Sequence, residues 1–441
     1  MSRDAMERVK RLREALPPQG LFAGKTWRFS PEPFALPRKF VAQLEFLGRV
    51  LLRFYKAANL LYLKSSRGEA PEWAARWLDM GKPPRVIELG RRGAWRQEVP
   101  RVIRPDLILT EDGFRITELD SIPGGIGLTD WLHQAYAELD PSFASRLAGG
   151  RHGMREGFAG IFGDAPRVHI VVSEESAAYR PEMLWLAEQA DPERFRLASP
   201  KRIELRPGEA VYRFFELFDL SHVPAAEPLF QSAARGEIWL TPPPKAFLEE
   251  KALLGLFWNR NLRSFWRREM GARFFEELRE RTPRTWILDP SPLPPHAAIP
   301  ELELTDWRQL KALSKKERNL ILKESGFSPE AWGTRSVTLG SDCSAEAWAE
   351  AVDRALHAWP QRLYVLQRYH KPRRIPFRWA DEKGLFEEEG RVRLCPYYFA
   401  EPGPEPKRVR LGGVLATICP ADKKIIHGMR EAVMAPCMTE A

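Results

Sequence analysis

Cysteine is scarce in this sequence. The 441 residues contain four, at Cys343, Cys395, Cys419 and Cys437, and no two of them form a CxxC pair. That spacing indicates neither a cysteine-based zinc site nor a dense disulfide framework. Reduced thiols are the default for such a chain, so a cytoplasmic protein is expected.

Long apolar runs and targeting signals are also missing. No stretch approaches the roughly 18 uninterrupted apolar residues that a membrane span needs, so no membrane partner is expected. The start of the chain, MSRDAMERVKRLREALPPQG, has the pattern of a charged amphipathic helix without the apolar centre of a signal peptide. The eight histidines show no HExxH or other ligand spacing, and each is better explained as a structural or surface residue.

The residues that are abundant indicate a large globular protein. Hydrophobic residues make up 44% and charged residues 29%, and 15 Trp with 24 Phe supply enough apolar area for a sizeable core. A chain of 441 residues is too long for one simple core, so two or three subdomains are expected. The net charge of +9 fits phosphate-bearing partners. A basic surface without a specific partner explains that charge more simply.

The first part of the chain divides into two regions. Residues 1–84 are expected to be helical, because KFVAQLEFLGRVLLRFYKAANLLYL carries apolar residues at helical spacing. Residues 85–150 hold a strand-rich segment from about Val86, followed by the helix DWLHQAYAEL. The break between the two regions is MGKPPR.

The second part also divides into two regions. Residues 151–240 are expected to form a small α/β domain, in which APRVHIVVSEES is a buried parallel strand, YRPEMLWLAEQAD a helix and AVYRFFELFDLSH another strand. Residues 241–441 begin at the proline-rich linker TPPP, with a helix starting near Lys245. The strands predicted there are NLILKES, RLYVLQRYH, GRVRLCPYYFA and RVRLGGVLATICP, and the helix is AEAWAEAVDRALHAW.

An acidic hairpin is predicted at RPDLILTEDGFRITELDSIPGG. If residues 111–113 form a three-residue loop with the glycine in a bulge position, Asp106 faces Glu118. Arg104 then faces Asp120, and all four side chains lie on one face of the hairpin. Like charges directly opposite one another are destabilising, and a divalent cation such as Mg²⁺ removes that penalty.

Two alternatives to this hairpin are open. A two-residue turn at residues 112–113 would put Asp106 and Glu118 on opposite faces, but the three-residue form is favoured because it accounts for the acids. A solvent-facing hairpin with scattered charge is the simpler interpretation of any acidic hairpin, yet here both faces are partly apolar. The glycines Gly124 and Gly125 follow at once and would let backbone N–H groups approach an anion.

This order of motifs resembles the metal-binding core of circularly permuted ATP-grasp proteins. An R-x-D, a short hairpin, an E-x-[DN] and a small-residue loop occur in that order in the glutathionylspermidine synthetase-like group, where the acids precede the nucleotide-binding lysines, as here. The resemblance covers roughly residues 85–435.

The resemblance implies a mixed α+β and α/β fold. Residues 85–150 would supply the metal-binding hairpin part of the ATP-grasp core, and residues 241–441 would supply the nucleotide-binding remainder and the lid. The small α/β domain would be the pre-ATP-grasp-like domain, beside the helical N-terminal region.

The resemblance also implies the metal site and two catalytic arginines. Asp106, Glu118 and Asp120 match the Mg²⁺ ligands. The third ligand is usually Asn in this group, and the extra charge of Asp120 would tighten metal binding or alter which ions bind. Arg104 matches the arginine that meets the transferring phosphate, and Arg393 aligns with a second catalytic arginine.

A further set of residues is implied to bind the nucleotide. Lys323, at the end of a predicted strand, would reach the phosphates and stabilise the charge that develops on them. The other implied contacts are Gly326, Ser328, Gly333 and Thr334 in a loop over the triphosphate, Gln367 in the strand beside adenine, Lys251 before an apolar helix, and Gly124 and Gly125. Surface lysines are the simpler interpretation of Lys251 and, taken alone, of Lys323.

The implied function is that of a carboxylate–amine or carboxylate–thiol ligase. Such an enzyme uses ATP and Mg²⁺ to activate a carboxylate of a small molecule or peptide as an acyl phosphate, which an amine or thiol then attacks. The alternative is a nucleotide-binding protein of the same fold without ligase activity. A nucleic-acid-binding module, suggested by the charge and by YHKPRRIPFR, is not expected, because that segment is better explained as a solvated loop or as an aid in binding a phosphate-bearing substrate.

Overall fold

The computed structural model of the chain describes residues 2–17, 27–331, 335–403, 408–426 and 431–440. The chain forms two compact units, each assembled from separate stretches of sequence. Unit 1 comprises Met1–Leu52, Arg92–Pro243 and Lys371–Ala441, and unit 2 comprises Arg53–Arg91 and Pro244–His370. The boundary at Pro243 falls inside the predicted linker TPPP.

Helices and strands are both numerous in the described residues. The α-helices are α1 (Ser2–Glu14), α2 (Arg38–Ser65), α3 (Glu72–Asp79), α4 (Pro84–Arg91), α5 (Ile126–Leu139), α6 (Pro141–Ala144), α7 (Gly153–Gly160), α8 (Arg180–Ala190), α9 (Ala226–Ala234), α10 (Ala252–Trp258), α11 (Arg263–Met270), α12 (Ala272–Arg281) and α13 (Ala345–His357). Short 3₁₀ helices occur at Gly93–Trp95, Ala177–Tyr179, Leu217–His222, Ala246–Leu248, Arg260–Leu262, Trp307–Ala312 and Pro329–Ala331. The strands are β1 (Phe34–Leu36), β2 (Val102–Thr110), β3 (Gly113–Asp120), β4 (Val168–Val172), β5 (Phe195–Ala198), β6 (Ala210–Phe214), β7 (Trp239–Thr241), β8 (Thr285–Ile287), β9 (Leu320–Glu324), β10 (Thr338–Leu339), β11 (Tyr364–Arg368), β12 (Ile375–Asp381), β13 (Gly384–Ala400), β14 (Val409–Pro420) and β15 (Val433–Thr439).

The larger sheet of unit 1 has seven strands. Its order is β1-β15-β14-β13-β2-β3, and β12 pairs with the first part of β13. Neighbours are antiparallel except β1 and β15, which run parallel. The second part of β13 is buried at every position from Leu394 to Ala400, because α7 packs on one face of this strand and Tyr398 contacts Leu44 and Gly48 of α2 on the other. The hairpin β2–β3 therefore lies beside a buried core strand.

The smaller sheet of unit 1 is parallel, with the order β5-β4-β6-β7. The sequences VHIVV of β4 and AVYRF of β6 are buried at all five positions, as continuous apolar runs of parallel sheets usually are. Phe158 of α7 packs edge-on against Tyr212 of β6, with 5.0 Å between ring centroids. The small α/β arrangement predicted from this stretch is present.

Unit 2 contains a four-stranded antiparallel sheet with the order β10-β9-β11-β8. Leu322 pairs with Leu366, which in turn pairs with Trp286, and this apolar face packs on Trp348 of α13. Residues one position further along each strand point to the opposite face, because side chains alternate along a strand. That second face carries Lys323 and Gln367.

Two sequence expectations were wrong in part at the level of elements. The segment from Val86 was expected to be strand-rich and contains β2 and β3, but residues up to 91 form α4, whose buried Val86, Leu89 and Gly90 follow helical spacing after a proline in the first turn. The segment YHKPRRIPFR was expected to be a solvated loop, and residues 369–374 are irregular with their basic side chains exposed from Lys371 on, but the last residues begin β12. There, Ile375, Phe377 and Trp379 are buried on alternate positions.

None of the helices in the described parts of the chain combines the length and the apolar character needed to cross a lipid bilayer. All four cysteines are free thiols, in line with the expected reduced state.

Candidate functional site

The hairpin β2–β3 brings the predicted residues of its two strands face to face. Arg104 pairs with Asp120, and Asp106 pairs with Glu118. These two pairings confirm the predicted ones, but the predicted loop is wrong. Thr110 pairs with Gly113, so residues 111–112 form a two-residue loop.

A bulge in β3 restores the register that the shorter loop would otherwise shift. The pairing jumps between Asp106 and Leu107, so that Thr117 has no partner residue of its own in β2. Its hydroxyl instead donates a hydrogen bond to the backbone carbonyl of Asp106, at 3.1 Å. A bulge of this kind moves the following side chains to the other face. Glu118 and Asp120 therefore join Asp106 because of the bulge rather than because of the turn.

Asp106 lies between two guanidinium groups. Nε of Arg104 is 3.1 Å from its Oδ1, and Nη1 of Arg393 is 3.0 Å from its Oδ2. Arg393 reaches it from β13, the strand next to β2 in the sheet. Nη2 of Arg104 also lies 3.1 Å from Oδ2 of Asp120. Arg104 thus bridges two carboxylates that the hairpin places on one face.

We call Arg104, Asp106, Glu118, Asp120 and Arg393 the hairpin cluster. The pKa values of its Asp120 and Arg104 reflect burial and the neighbouring charges. Burial raises the pKa of Asp120; Arg104 opposes that rise, whereas the carboxylates of Glu118 and Asp106 add to it. Burial would lower the pKa of Arg104, but Asp106 and Asp120 outweigh it and raise the pKa above its usual value. The carboxylates of Asp106 and Glu118 are thus close enough to Asp120 to repel it, and Arg104, together with Arg393 at Asp106, offsets this repulsion.

Cys395 completes the surroundings of Asp106. Its thiol donates a hydrogen bond to Oδ1 of Asp106 at 3.4 Å. Burial, and then the charge of Asp106, raise the pKa of this thiol to about 12. The sulfur therefore stays protonated at neutral pH and is a hydrogen-bond donor rather than a nucleophile.

The donor atoms of the cluster suit a hard divalent cation, since carboxylate oxygens are the ligands that Mg²⁺ prefers. Their mutual repulsion also favours a bound cation. In the described residues, however, no group of three or more His, Cys, Asp or Glu side chains already converges as a metal cage. Asp106 and Asp120 direct oxygens at Arg104 instead. The chemistry of the residues fits Mg²⁺, with Arg104 as the competing cation.

The diglycine after β3 is held by a side chain that sequence reasoning missed. Oε1 of Glu182, in the first turn of α8, accepts hydrogen bonds from the backbone N–H groups of Gly125 at 2.6 Å and Gly127 at 3.2 Å. These groups lie at the N-terminus of α5, which favours negative charge. The structure therefore places a carboxylate of the chain itself where an anion was expected. The carbonyl of Gly124 accepts from Arg104 and from the Tyr397 hydroxyl.

Two tyrosines explain why only glycine fits in this turn. A Cβ atom at Gly124 would lie 2.1 Å from the ring of Tyr179. One at Gly125, whose φ is +90°, would lie 2.2 Å from the Tyr397 hydroxyl. The Gly124–Gly125 turn is thus closely packed against these two tyrosines, and it lies beside Arg104.

In unit 2, Lys323 and Gln367 contact each other. Nζ of Lys323 donates to Oε1 of Gln367 at 3.2 Å, and Nε2 of Gln367 donates to the Thr285 hydroxyl at 3.1 Å. Lys323 is 7% exposed and Gln367 3%, so neither is a surface residue. This polar row crosses β9, β11 and β8 on the face opposite to the apolar core of unit 2.

The segment after β9 is anchored by Lys251 and by a buried ion pair. Nζ of Lys251 donates to the carbonyl of Ala331 at 2.9 Å. Glu250 pairs with Nζ of Lys82 at 2.5 Å and accepts a hydrogen bond from the hydroxyl of Ser325. Sequence reasoning missed Lys82 and Glu250, which are 168 positions apart and carry no local signal of pairing.

The structure describes two of the four other residues that were expected to cover the phosphates. Gly326 packs closely on Glu250, since a Cβ atom there would lie 2.9 Å from the Glu250 carboxyl carbon. The hydroxyl of Ser328 accepts from the backbone N–H of Glu330 at 3.2 Å. Gly333 and Thr334 lie outside the described residues.

Comparison with solved structures shows the class of fold. A glutathione synthetase-like effector from Globodera pallida, solved without ligand, matches with a TM-score of 0.56 and 12% sequence identity, over 99% of this chain and 96% of that one. A second structure, of a candidate gamma-glutamylcysteine synthetase from Methylobacillus flagellatus, aligns less well, with a TM-score of 0.40 and 14% identity over 81% of this chain and 85% of that one. The chain is therefore a mixed helix-and-sheet protein with a glutathione synthetase-like fold. No protein-family model and no curated protein matches the sequence.

Proposed function

We propose that this protein is an ATP- and Mg²⁺-dependent ligase that joins a carboxylate to an amine or a thiol through an acyl phosphate. The observation that carries the proposal is the hairpin register, which places Asp106 opposite Glu118 and Arg104 opposite Asp120. Acids and arginines paired so closely suit a site that handles phosphates and a divalent cation. The glutathione synthetase-like fold supports the same class of chemistry.

The metal ion would be held by Asp106, Glu118 and Asp120. When bound, Mg²⁺ supplies positive charge that offsets the charge of the phosphates. Arg104 and Arg393 would then exchange their contacts with Asp106 for phosphate oxygens, and both present several N–H donors to such a group. The Gly124 carbonyl and the Tyr397 hydroxyl would hold Arg104 and its turn in place during that exchange.

Residues of unit 2 would bind the nucleotide. Lys323 would donate to phosphate oxygens, with Gln367 fixing its position through the hydrogen bond between them. Gln367 would also lie beside the adenine. Lys251, Gly326, Ser328, Gly333 and Thr334 would hold the triphosphate. The Glu250–Lys82 ion pair lies beside Ser325 and Gly326, at the start of that loop. Along the chain the acids precede these lysines, which is the order of a circularly permuted ATP-grasp protein.

Metal-dependent ATP binding tests this proposal. In isothermal titration calorimetry the wild type should bind ATP with Mg²⁺ and much more weakly without it. The combined substitutions Asp106→Asn and Glu118→Gln should weaken binding of ATP with Mg²⁺ by at least about tenfold. Both changes are close to isosteric, and circular dichroism should confirm that the variant folds.

A matched control removes two negative charges from the same hairpin. Glu111 and Asp112 lie in its loop, and the Asp112 side chain is 67% exposed. The combined substitutions Glu111→Gln and Asp112→Asn should leave ATP binding as in the wild type. Metal-dependent binding that survives in the Asp106→Asn, Glu118→Gln variant would refute the metal site.

Measuring ADP release distinguishes a ligase from a nucleotide-binding protein without ligase activity. ADP release that depends on both a carboxylic acid and an amine or thiol, in a panel of amino acids and short peptides, would support the ligase. Tight Mg²⁺-dependent ATP binding without ADP release from any pair in the panel would favour the alternative without ligase activity.

A further inference from the structure

Unit 2 contains a cavity that none of the residues proposed for ATP or Mg²⁺ lines. Its volume is about 810 Å³, which is within the range of small-molecule sites. The turn after α2 forms one side, α3 forms another with Glu72, Arg76 and Asp79, and Arg91 at the end of α4 borders it. The cavity is open to solvent, and Glu72, Arg76 and Arg91 are exposed. Its lining is rich in charged side chains.

One wall of the cavity is a closed ring of hydrogen bonds. The Tyr62 hydroxyl donates to Oδ1 of Asp79 at 2.6 Å, and Arg91 donates from Nη2 to Oδ2 of Asp79 at 2.5 Å and from Nε to the Tyr62 oxygen at 3.0 Å. Tyr62 is itself buried and stacked on Phe247, with 3.7 Å between ring centroids. The guanidinium of Arg91 is thus fixed, while its Nη1 has no partner in the parts of the chain that the structure describes.

Two side chains of opposite charge on α3, Glu72 and Arg76, have no partner among the described residues. They are four residues apart, in the order that favours an ion pair on a helix. Neither side chain makes a hydrogen bond or ion pair to a described residue, although both line the cavity. The remaining arginine of the lining, Arg67, is already paired with Glu69 at 2.8 Å. A ligand in the cavity could therefore contact the Glu72 carboxylate, the Arg76 guanidinium and the remaining N–H group of Arg91.

We propose that this cavity binds a zwitterionic small molecule, an amino acid or a short peptide. Its carboxylate would contact Nη1 of Arg91 and the guanidinium of Arg76, and its ammonium group would contact Glu72. A planar guanidinium suits a carboxylate, and one held in place by Asp79 and Tyr62 loses little freedom on binding. The balance of one free acid against the free arginine groups favours a ligand that carries both charges.

Three tripeptide probes test separately the contacts of the ligand's carboxylate and of its ammonium group. Triglycine carries both charges, triglycinamide lacks the carboxylate and N-acetyl-triglycine lacks the ammonium. In calorimetry with the full-length chain, triglycine should bind, and each neutralised probe should bind at least about fivefold more weakly. Arg76→Ala should weaken triglycine but leave triglycinamide unchanged, and Glu72→Gln should weaken triglycine but leave N-acetyl-triglycine unchanged.

Control variants make the outcome decisive. Arg202→Ala removes an arginine that is 84% exposed elsewhere on the chain, and it should bind triglycine like the wild type. The proposal is overturned if triglycine fails to bind at about 10 mM. It is also overturned if Arg76→Ala binds triglycine as the wild type does, or if Arg202→Ala weakens the binding as much as Arg76→Ala does.

Discussion

At the scale of single residues, Asp106 is a nearly buried carboxylate of the hairpin with several partners. It is 8% exposed as a side chain and contacts two guanidinium groups and a thiol. Two charged partners on one nearly buried acid make its removal costly, because each arginine would lose a counter-charge in a place that water reaches poorly. The acid is therefore as important to the fold as to the proposed metal site.

We expect Asp106→Ala to lower the free energy of unfolding by about 3 kcal/mol, the usual cost of removing one partner of a buried ion pair. Asp112→Ala, in the exposed loop of the same hairpin, should cost no more than about 1 kcal/mol. Urea denaturation without nucleotide or metal measures both. Equal losses in the two variants would show that the arginine contacts of Asp106 contribute little.

His169 is a second residue whose environment has a measurable effect, here on how the unfolding free energy depends on pH. It is fully buried at the start of β4, and its Nε2 donates to Glu209 at 2.8 Å while its Nδ1 accepts from Arg196 at 3.2 Å. Burial lowers its pKa; Glu209 opposes that shift, whereas Arg196 reinforces it. The folded protein therefore prefers the neutral ring, and the unfolded chain binds the proton more readily.

The sign of the pH effect follows from that shift. A histidine whose folded pKa lies below its unfolded value of about 6.5 contributes stability above that pH, and the contribution is lost as the pH falls below it. Between about pH 7.5 and 5.5, the unfolding free energy of the wild type should fall more steeply than that of His169→Gln. Parallel slopes in the wild type and His169→Gln would contradict the expectation.

At the scale of elements, the hairpin shows how a correct pairing can follow from an incorrect loop. The predicted three-residue loop and the actual two-residue loop differ by one residue, and the bulge at Thr117 supplies that residue. Both arrangements put Asp106 opposite Glu118. The alternation of charged and apolar residues predicted which side chains share a face, but not where the extra residue lies.

The contact between α8 and α5 belongs to the same scale. Glu182 accepts hydrogen bonds from two backbone N–H groups at the start of α5 and is 7% exposed. Glu182→Ala would leave these buried donors without an acceptor, so the unfolding free energy should fall by about 2 kcal/mol. Glu182→Gln keeps an acceptor oxygen and should cost less than about 1 kcal/mol.

Chemical denaturation of the two variants checks this. If Gln proves as damaging as Ala, then the charge of Glu182 matters more than its hydrogen bonds. If Ala is harmless, the diglycine turn holds its shape without α8.

The elements with strong local patterns were predictable from the sequence. The apolar runs of β4 and β6 and the helical spacing in α2 and α13 needed no information from elsewhere in the chain. The contacts of Glu182 with the diglycine and of Lys82 with Glu250 join residues 57 and 168 positions apart. No local periodicity marks such a pair, because burial creates the requirement for a partner only after the chain has folded.

At the scale of the whole molecule, likeness in fold extends much further than likeness in sequence. The effector structure from Globodera pallida covers 99% of this chain at 12% identity. Cores tolerate extensive exchange of apolar residues when volume and pattern are kept. Two proteins can therefore share an arrangement of strands although most of their side chains differ. Function at such a distance has to be tested on the site residues themselves, as with the hairpin acids.

The parallel pairing of β1 with β15 has a consequence for the growing chain. Phe34 of β1 lies beside Cys437 of β15, so roughly 400 residues must be made before the first strand meets its neighbour. At about 5–20 residues per second, the ribosome needs about 20–80 s for that distance. Among the described strands β1 pairs with β15, so throughout this interval the edge of β1 lacks that partner, and the nascent protein depends on other contacts or on chaperones to protect it.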